Sequence, residues 1–84
     1  MKHQVTERQL ENRKLIGQRI AEIRKSRHIT QRTLGDMTNI PFSHLAAIER
    51  GYYSVGLDSL TNICDALGVK VLLDNERDIK VFEG

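Results

Sequence analysis

The sequence predicts one mainly α-helical domain, with four helices followed by a short β-hairpin. Its length of 84 residues and its 39% hydrophobic content fit a single small globular domain rather than a disordered chain. Apolar residues recur at helical spacing in several stretches as far as Leu67. From Val69 onward the period changes to two, which is typical of β-strands.

Charge is distributed unevenly along the chain, although the formal net charge is only +2. Residues 1–32 hold nine Lys and Arg against three Glu, whereas residues 33–84 hold four basic against eight acidic residues. The basic half indicates either a polyanionic partner or a solvated helix face. The sequence contains no apolar run of membrane-span length, its N-terminus lacks the apolar core of a signal peptide, and the single Cys64 excludes an internal disulfide. We therefore expect a cytoplasmic protein without a membrane partner.

The first helix is predicted from about Glu7 to Arg27. Thr6 and Gln9 match a capping box, in which each side chain accepts a hydrogen bond from the other residue's backbone amide. The helix is polar as far as residue 14, so residues 1–14 are assigned to a polar N-terminal extension. Beyond it, the inward-facing stripe consists of Ile16, Ile20 and Ile23. Gly17 lies inside this helix, where it either weakens the helix or lets another backbone approach closely.

Two short helices joined by a tight turn are predicted next. Thr30 can cap a helix at about 31–38, and Asn39 tolerates the left-handed backbone that ends it. The following helix is predicted from about Phe42 to Arg50, and Gly51 ends it. The inward residues of the two helices are Leu34, Met37, Leu45 and Ile48. This arrangement is typical of a helix-turn-helix, whose second helix lies in the DNA major groove.

A fourth helix and two strands are predicted after this motif. The helix ends at Gly68 and has an apolar stripe that consists of Leu57, Leu60, Ile63, Cys64 and Leu67. Strands are predicted at about 69–73 and 79–82, joined by a polar turn at 74–77. An isolated hairpin is marginal in water, so it either pairs across a dimer or folds back on its own helices. The residues expected in the dimer strands are Val69, Val71, Leu73, Ile79 and Val81.

Four motifs follow one another with intact spacing between Arg19 and Val69, namely R-I-x-x-I-R, I-T-Q-x-x-L, I-E-R-G and L-x-x-L-x-x-I-x-x-A-L-G-V. Over about residues 16–69 they resemble the Xre/Cro/CI family of helix-turn-helix repressors. The resemblance implies a lambda-repressor-like DNA-binding bundle at residues 15–69, with residues 70–84 as a dimerisation hairpin. It also implies a bacterial or phage transcriptional repressor that binds double-stranded DNA as a homodimer.

The resemblance also implies roles for individual residues. Arg24 and Glu49 match an ion pair that ties the first helix to the recognition helix, the alternative for Arg24 being a solvated surface arginine. The positions that match residues facing the major groove are Phe42, Ser43, His44, Ala46 and Ala47. Phe42 has a core or dimer contact as its alternative role. Gln31 matches a glutamine that bonds a phosphate, and the expected phosphate contacts are Gln31, Arg32, Lys25, Arg50 and Tyr52, with Arg27 as a further cation.

Two departures from the family pattern leave a second function open. The recognition positions are mostly apolar, so only Ser43 and His44 among them can hydrogen-bond to base edges. The C-terminal strand resembles antitoxin repressors of the HipB type, which bind a toxin as well as their own operator. The alternative function is therefore an antitoxin that binds a toxin protein and autoregulates its operon.

The sequence gives no indication of an enzyme, a metal site or a cofactor. The histidines His3, His28 and His44 are dispersed and lack the spacing of metal ligands. Cys64 lies on an apolar helix face, which favours a small core side chain over a nucleophile. The chain also contains no glycine-rich phosphate loop. We therefore expect a binding protein.

Overall fold

Four helices and an antiparallel pair of strands make up the computed structural model, which describes residues 4–73 and 79–83. The elements are α1 (Glu7–Ser26), α2 (Gln31–Thr38), α3 (Phe42–Glu49), α4 (Leu57–Leu67), β1 (Val69–Leu73) and β2 (Ile79–Glu83). This order confirms the predicted fold class. Residues buried from all four helices and from β1 form one apolar core, which consists of Ile20, Ile23, Leu34, Leu45, Ile48, Leu60, Ile63, Cys64, Leu67 and Val69.

Helix α1 begins at the predicted capping box. The backbone amide of Thr6 donates to Gln9 Oε1 at 2.9 Å, and the backbone amide of Gln9 donates to Thr6 Oγ1 at 3.1 Å. The helix then continues without a break to Ser26. The boundary predicted at residue 14 therefore falls inside a single helix, because the polar residues before it change what the helix buries but not its backbone. His28 follows the helix in the left-handed conformation, at φ 57°.

The turn between α2 and α3 follows its sequence signals. Thr30 Oγ1 accepts the backbone amide of Thr33 at 3.0 Å, and Asn39 ends α2 at φ 58°. Helix α3 ends at Glu49, one residue before the predicted end. The inward position predicted for Met37 is wrong, because its side chain is 53% exposed. Thr38, four residues after the buried Leu34, turns inward instead and donates to the Leu34 carbonyl at 2.7 Å.

Helix α4 buries its predicted stripe except at its first position. Leu57 is 70% exposed, because the first turn of α4 extends past the core and the buried stripe begins at Leu60. Cys64 is buried among core side chains, and burial raises the pKa of its thiol, with the neighbouring Asp65 carboxylate raising it further. A raised pKa disfavours the thiolate, so the structure favours a core role for Cys64.

Strands β1 and β2 pair with each other in an antiparallel register. Val71 lies opposite Val81, and Leu73 lies opposite Ile79. Val69 is buried in the core and Val71 is half-buried, so the first part of β1 packs on the helices of its own chain. Leu73 is 82% exposed. The turn predicted at 74–77 lies outside the described residues.

Candidate nucleic-acid interface

A buried ion pair joins α1 to the last residue of α3. Arg24 Nε donates to Glu49 Oε2 at 2.7 Å, and Arg24 Nη2 donates to Glu49 Oε1 at 3.0 Å. The two side chains are only 9% and 5% exposed. A third bond, from Arg24 Nη1 to the Ile29 carbonyl at 2.8 Å, satisfies the guanidinium further. The paired, planar geometry compensates both charges for their loss of water and fixes the end of α3.

Gln31 joins the same network from α2. Its Nε2 donates to Glu49 Oε1 at 3.0 Å, a contact that the sequence did not indicate. Glu49 therefore receives bonds from α1 and α2 at once, and the three helices of the motif meet at one carboxylate. The second N–H of the Gln31 amide and its backbone N–H at the start of α2 are groups suited to a phosphate oxygen. The phosphate contact of Gln31 stays a prediction.

Two glycines allow the helices of the motif to approach one another closely. A Cβ added at Gly17 would lie 2.7 Å from the Glu49 carbonyl oxygen and still closer to that of Ile48. A Cβ added at Gly35 would lie 2.6 Å from the Ile40 carbonyl oxygen. Of the two interpretations of Gly17, close backbone approach is therefore the one that the structure shows. The position of α3 therefore depends on Gly17 and Gly35, because a larger side chain at either residue would displace the backbone next to it.

The outer face of α3 carries the residues expected to face the major groove. Phe42 is 46% exposed, and Ser43 and His44 are exposed as well, whereas Ala46 and Ala47 are half-buried. The exposure of Phe42 argues against the core contact that was its alternative role. Phe42 is thus an exposed aromatic side chain at the N-terminal end of α3, the end of the recognition helix that contacts base edges in this motif.

Two contacts across this face were not visible in the sequence. The guanidinium carbon of Arg32 lies 4.4 Å from the centre of the Phe42 ring. The His44 ring lies 5.2 Å from the Tyr53 ring, with 31° between the two planes. Each contact joins residues of different elements, so no periodicity within one helix could indicate it. Together they link α3 to the start of α2 on one side and to the loop after Gly51 on the other.

The residues predicted to contact phosphates occupy different environments. The side chains of Lys25, Arg32, Arg50 and Tyr52 are exposed, as a contact with DNA requires. Arg27 is half-buried, and its Nε donates to the Leu67 carbonyl at 2.8 Å. Arg27 therefore fastens the end of α1 to the end of α4, which corrects its assignment as a cation available to DNA.

Lys14 is a candidate phosphate contact that the sequence reasoning missed. A Cβ added at Gly51 would lie 2.7 Å from Lys14 Cγ and 2.9 Å from Lys14 Cα, so the two residues are in contact. Lys14 is exposed and lies beside the loop that begins with Tyr52. Helix α1 thus supplies a positive charge beside a loop that begins with two tyrosines. Because the residues around Lys14 are polar, the sequence reasoning assigned Lys14 to the N-terminal extension. Its contact with Gly51 was therefore not predicted.

Within the part of the chain that the structure describes, no group of three His, Cys, Asp or Glu side chains is close enough to hold a metal ion. Across the same residues, no helix has both the length and the apolar character needed to cross a membrane.

Known proteins resemble about two thirds of this chain. Residues 20–73 match the family described as Helix-turn-helix. An immunity repressor protein of Bacillus phage phi105 is 45% identical over 56 residues, which are 67% of this chain and 39% of that relative. Two crystal structures of the clp gene regulator ClgR from Corynebacterium glutamicum align at TM-score 0.67 and 28% identity, covering 68% of this chain and 61% or 73% of theirs. The chain therefore spans well under half the length of the repressor that it matches, and it belongs to the helix-turn-helix family, in the Xre/Cro/CI type that its motifs resemble.

Proposed function

We propose that this protein is a sequence-specific transcriptional repressor that places α3 in the DNA major groove. The observation that carries the proposal is the buried Arg24–Glu49–Gln31 network, which fixes α3 while its outer face stays exposed. A recognition helix must be held rigidly, because base-edge contacts depend on exact donor and acceptor positions. Ser43 and His44 would hydrogen-bond to bases, and the half-buried Ala46 and Ala47 would accept thymine methyl groups at close range.

The cations around α3 support DNA as the ligand. Lys25 and Arg50 are exposed, and no ion pair within residues 4–73 involves either of them. Together with Gln31, Tyr52 and Lys14, they would hold phosphates and fix the register of the protein on the duplex. This function also explains the excess of basic residues in the first part of the chain. We place the protein in the cytoplasm of a bacterium, where its DNA would be.

We propose that the repressor binds DNA as a homodimer. Leu57, Leu72 and Leu73 are exposed along an apolar groove between α4 and β1, on a surface that a second copy would cover. The pairing of these strands across the dimer stays a prediction. Two recognition helices would then enter successive major grooves about 34 Å apart. The antitoxin alternative rests on the resemblance of the C-terminal strands alone, so it stays a prediction.

Binding to the DNA upstream of the protein's own gene tests the proposal. Fluorescence anisotropy against the native duplex and a scrambled duplex, at two salt concentrations, gives affinity, specificity and salt dependence. With three cations from each chain neutralising about six phosphates per dimer, we expect log K to fall against log salt with a slope of about −5. Saturation should require two chains for each operator. An affinity that does not depend on salt, or equal binding to both duplexes, contradicts a sequence-specific repressor.

Lys14→Gln is expected to weaken binding to all DNA sequences alike. If Lys14 neutralises one phosphate, its loss should reduce the salt slope by about 0.9 for each chain, or about 1.8 for a dimer. Arg19→Gln is the matched control, because Arg19 is exposed on α1 and pairs with Glu22 of the same helix at 3.8 Å. The measurement is the salt titration of both variants beside the parent protein. Equal slopes for all three proteins show that Lys14 does not contact the backbone.

A further inference from the structure

The contact between Arg32 and Phe42 brings two recognition groups together across the turn of the motif. Arg32 is the second residue of α2, and Phe42 is the first residue of α3. The guanidinium carbon lies over the Phe42 ring, 4.4 Å from its centre. Both side chains are exposed, so this stack stands on the surface and not in the core. A cation over an aromatic face is attracted to it, which limits the directions that the arginine side chain adopts.

The Phe42 ring is a single contact for a group with five N–H donors, so most of these donors remain available to another partner. Within the described part of the chain, Arg32 makes no hydrogen bond or ion pair that would use these donors. The stack thus holds a fork of free donors next to the start of the recognition helix.

This arrangement matches a particular pair of neighbouring bases. Guanine presents O6 and N7 in the major groove, which accept two parallel bonds from an arginine fork, and thymine presents a methyl group that suits an apolar side chain. Successive bases along one strand are about 3.4 Å apart. The distance of 4.4 Å from the guanidinium carbon to the ring centre exceeds that spacing by about 1 Å, so the two groups are near enough to reach neighbouring bases. Two groups stacked in this way can therefore contact two adjacent bases.

We infer that Arg32 and Phe42 act as one unit that reads a guanine next to a thymine in each half-site. This inference rests on the proposed function and deepens it. Arg32 then contacts a base edge, in place of the phosphate contact that the sequence predicted for it. Phe42 has two roles, since its ring contacts the thymine methyl group and holds the guanidinium in the plane that the guanine requires. The unit supplies hydrogen-bonding specificity to a recognition helix whose other residues are mostly apolar.

Selection from a pool of random duplexes tests the inference. The parent protein should enrich a site with adjacent G and T, and changing that G should weaken binding about 5- to 150-fold, as for a bidentate arginine contact. Arg32→Ala should abolish the preference for that G, whereas Arg32→Lys should weaken it and leave the salt slope unchanged, because lysine keeps the charge but lacks the planar fork. Phe42→Leu should keep the preference for T and lose most of the preference for G. Arg19→Lys is the matched control, because Arg19 is exposed on α1 and pairs with Glu22 of the same helix, and it should leave the selected sequence unchanged.

Each other result has a distinct meaning. An enriched site whose G preference survives Arg32→Ala overturns the inference but leaves the repressor proposal intact. An Arg32→Ala variant that loses affinity equally on all duplexes, with a smaller salt slope, also overturns it and returns Arg32 to the backbone. If the parent protein enriches no sequence, the proposed function itself is contradicted. Circular dichroism of each variant checks that the exposed substitutions leave the helices intact.

Discussion

Glu49→Ala is expected to lower the free energy of unfolding by about 3–5 kcal/mol. The substitution leaves the Arg24 guanidinium buried and without its carboxylate partner, and it also removes the acceptor of Gln31 Nε2. Only the bond from Arg24 to the Ile29 carbonyl would remain. Because domains of this kind are stable by about 5–15 kcal/mol, such a loss leaves a substantial unfolded population near body temperature. Urea denaturation followed by circular dichroism measures it.

Two further variants separate the buried charge from the carboxylate's other effects. Gln31→Ala removes one hydrogen bond to Glu49 and should cost only about 0.5–1.5 kcal/mol. The double variant Arg24→Met with Glu49→Leu removes both charges, so it should be clearly more stable than Glu49→Ala alone. If Glu49→Ala costs less than about 1 kcal/mol, the pair behaves like a surface salt bridge and does not anchor α3.

The sequence predicted the element boundaries well, because the signals that set them are local. A capping box at Thr6 and Gln9, a cap at Thr30 and a left-handed Asn39 depend on a few neighbouring residues. Burial was harder to predict. Met37 and Leu57 have the correct helical spacing but are exposed, because the position of the next helix decides which side of a short helix is covered.

The contacts of the candidate site likewise fall into those that the sequence predicted and those that it did not. The Arg24–Glu49 contact was expected because the residues match a family pattern with intact spacing. The contacts of Gln31 with Glu49, of Arg32 with Phe42 and of Lys14 with Gly51 were not expected. Each of them joins two elements whose relative position the sequence pattern does not encode. The proposals about individual residues rest on these unexpected contacts, since the contacts determine which side chains lie next to one another on the surface around α3.

Gly17→Ala is expected to destabilise the protein although alanine is the better helix former. Helix propensity alone favours alanine by about 1 kcal/mol. The added Cβ, however, would overlap the carbonyl oxygens of Ile48 and Glu49. These are backbone atoms, which cannot rotate away as a side chain can, so α1 and α3 must separate. Overpacking of this kind costs about 1–3 kcal/mol, so after the propensity gain we expect a net loss of up to about 2 kcal/mol in urea denaturation.

The separation should also impair DNA binding in the fraction that stays folded. Moving α1 from α3 lengthens the bonds between Arg24 and Glu49 and tilts the recognition helix, so we expect affinity for the operator to fall at least tenfold. Gly56→Ala is the control, because a Cβ there has nothing within 4 Å and the backbone φ is −67°. Alanine is a poorer N-cap residue than glycine, which destabilises the folded state by roughly 0.5–1 kcal/mol. It also reduces the conformational entropy of the unfolded chain, which stabilises the fold by roughly the same amount, so the two effects should nearly cancel. If Gly17→Ala instead stabilises the protein as propensity demands, the position of α3 is set by the buried ion pair alone.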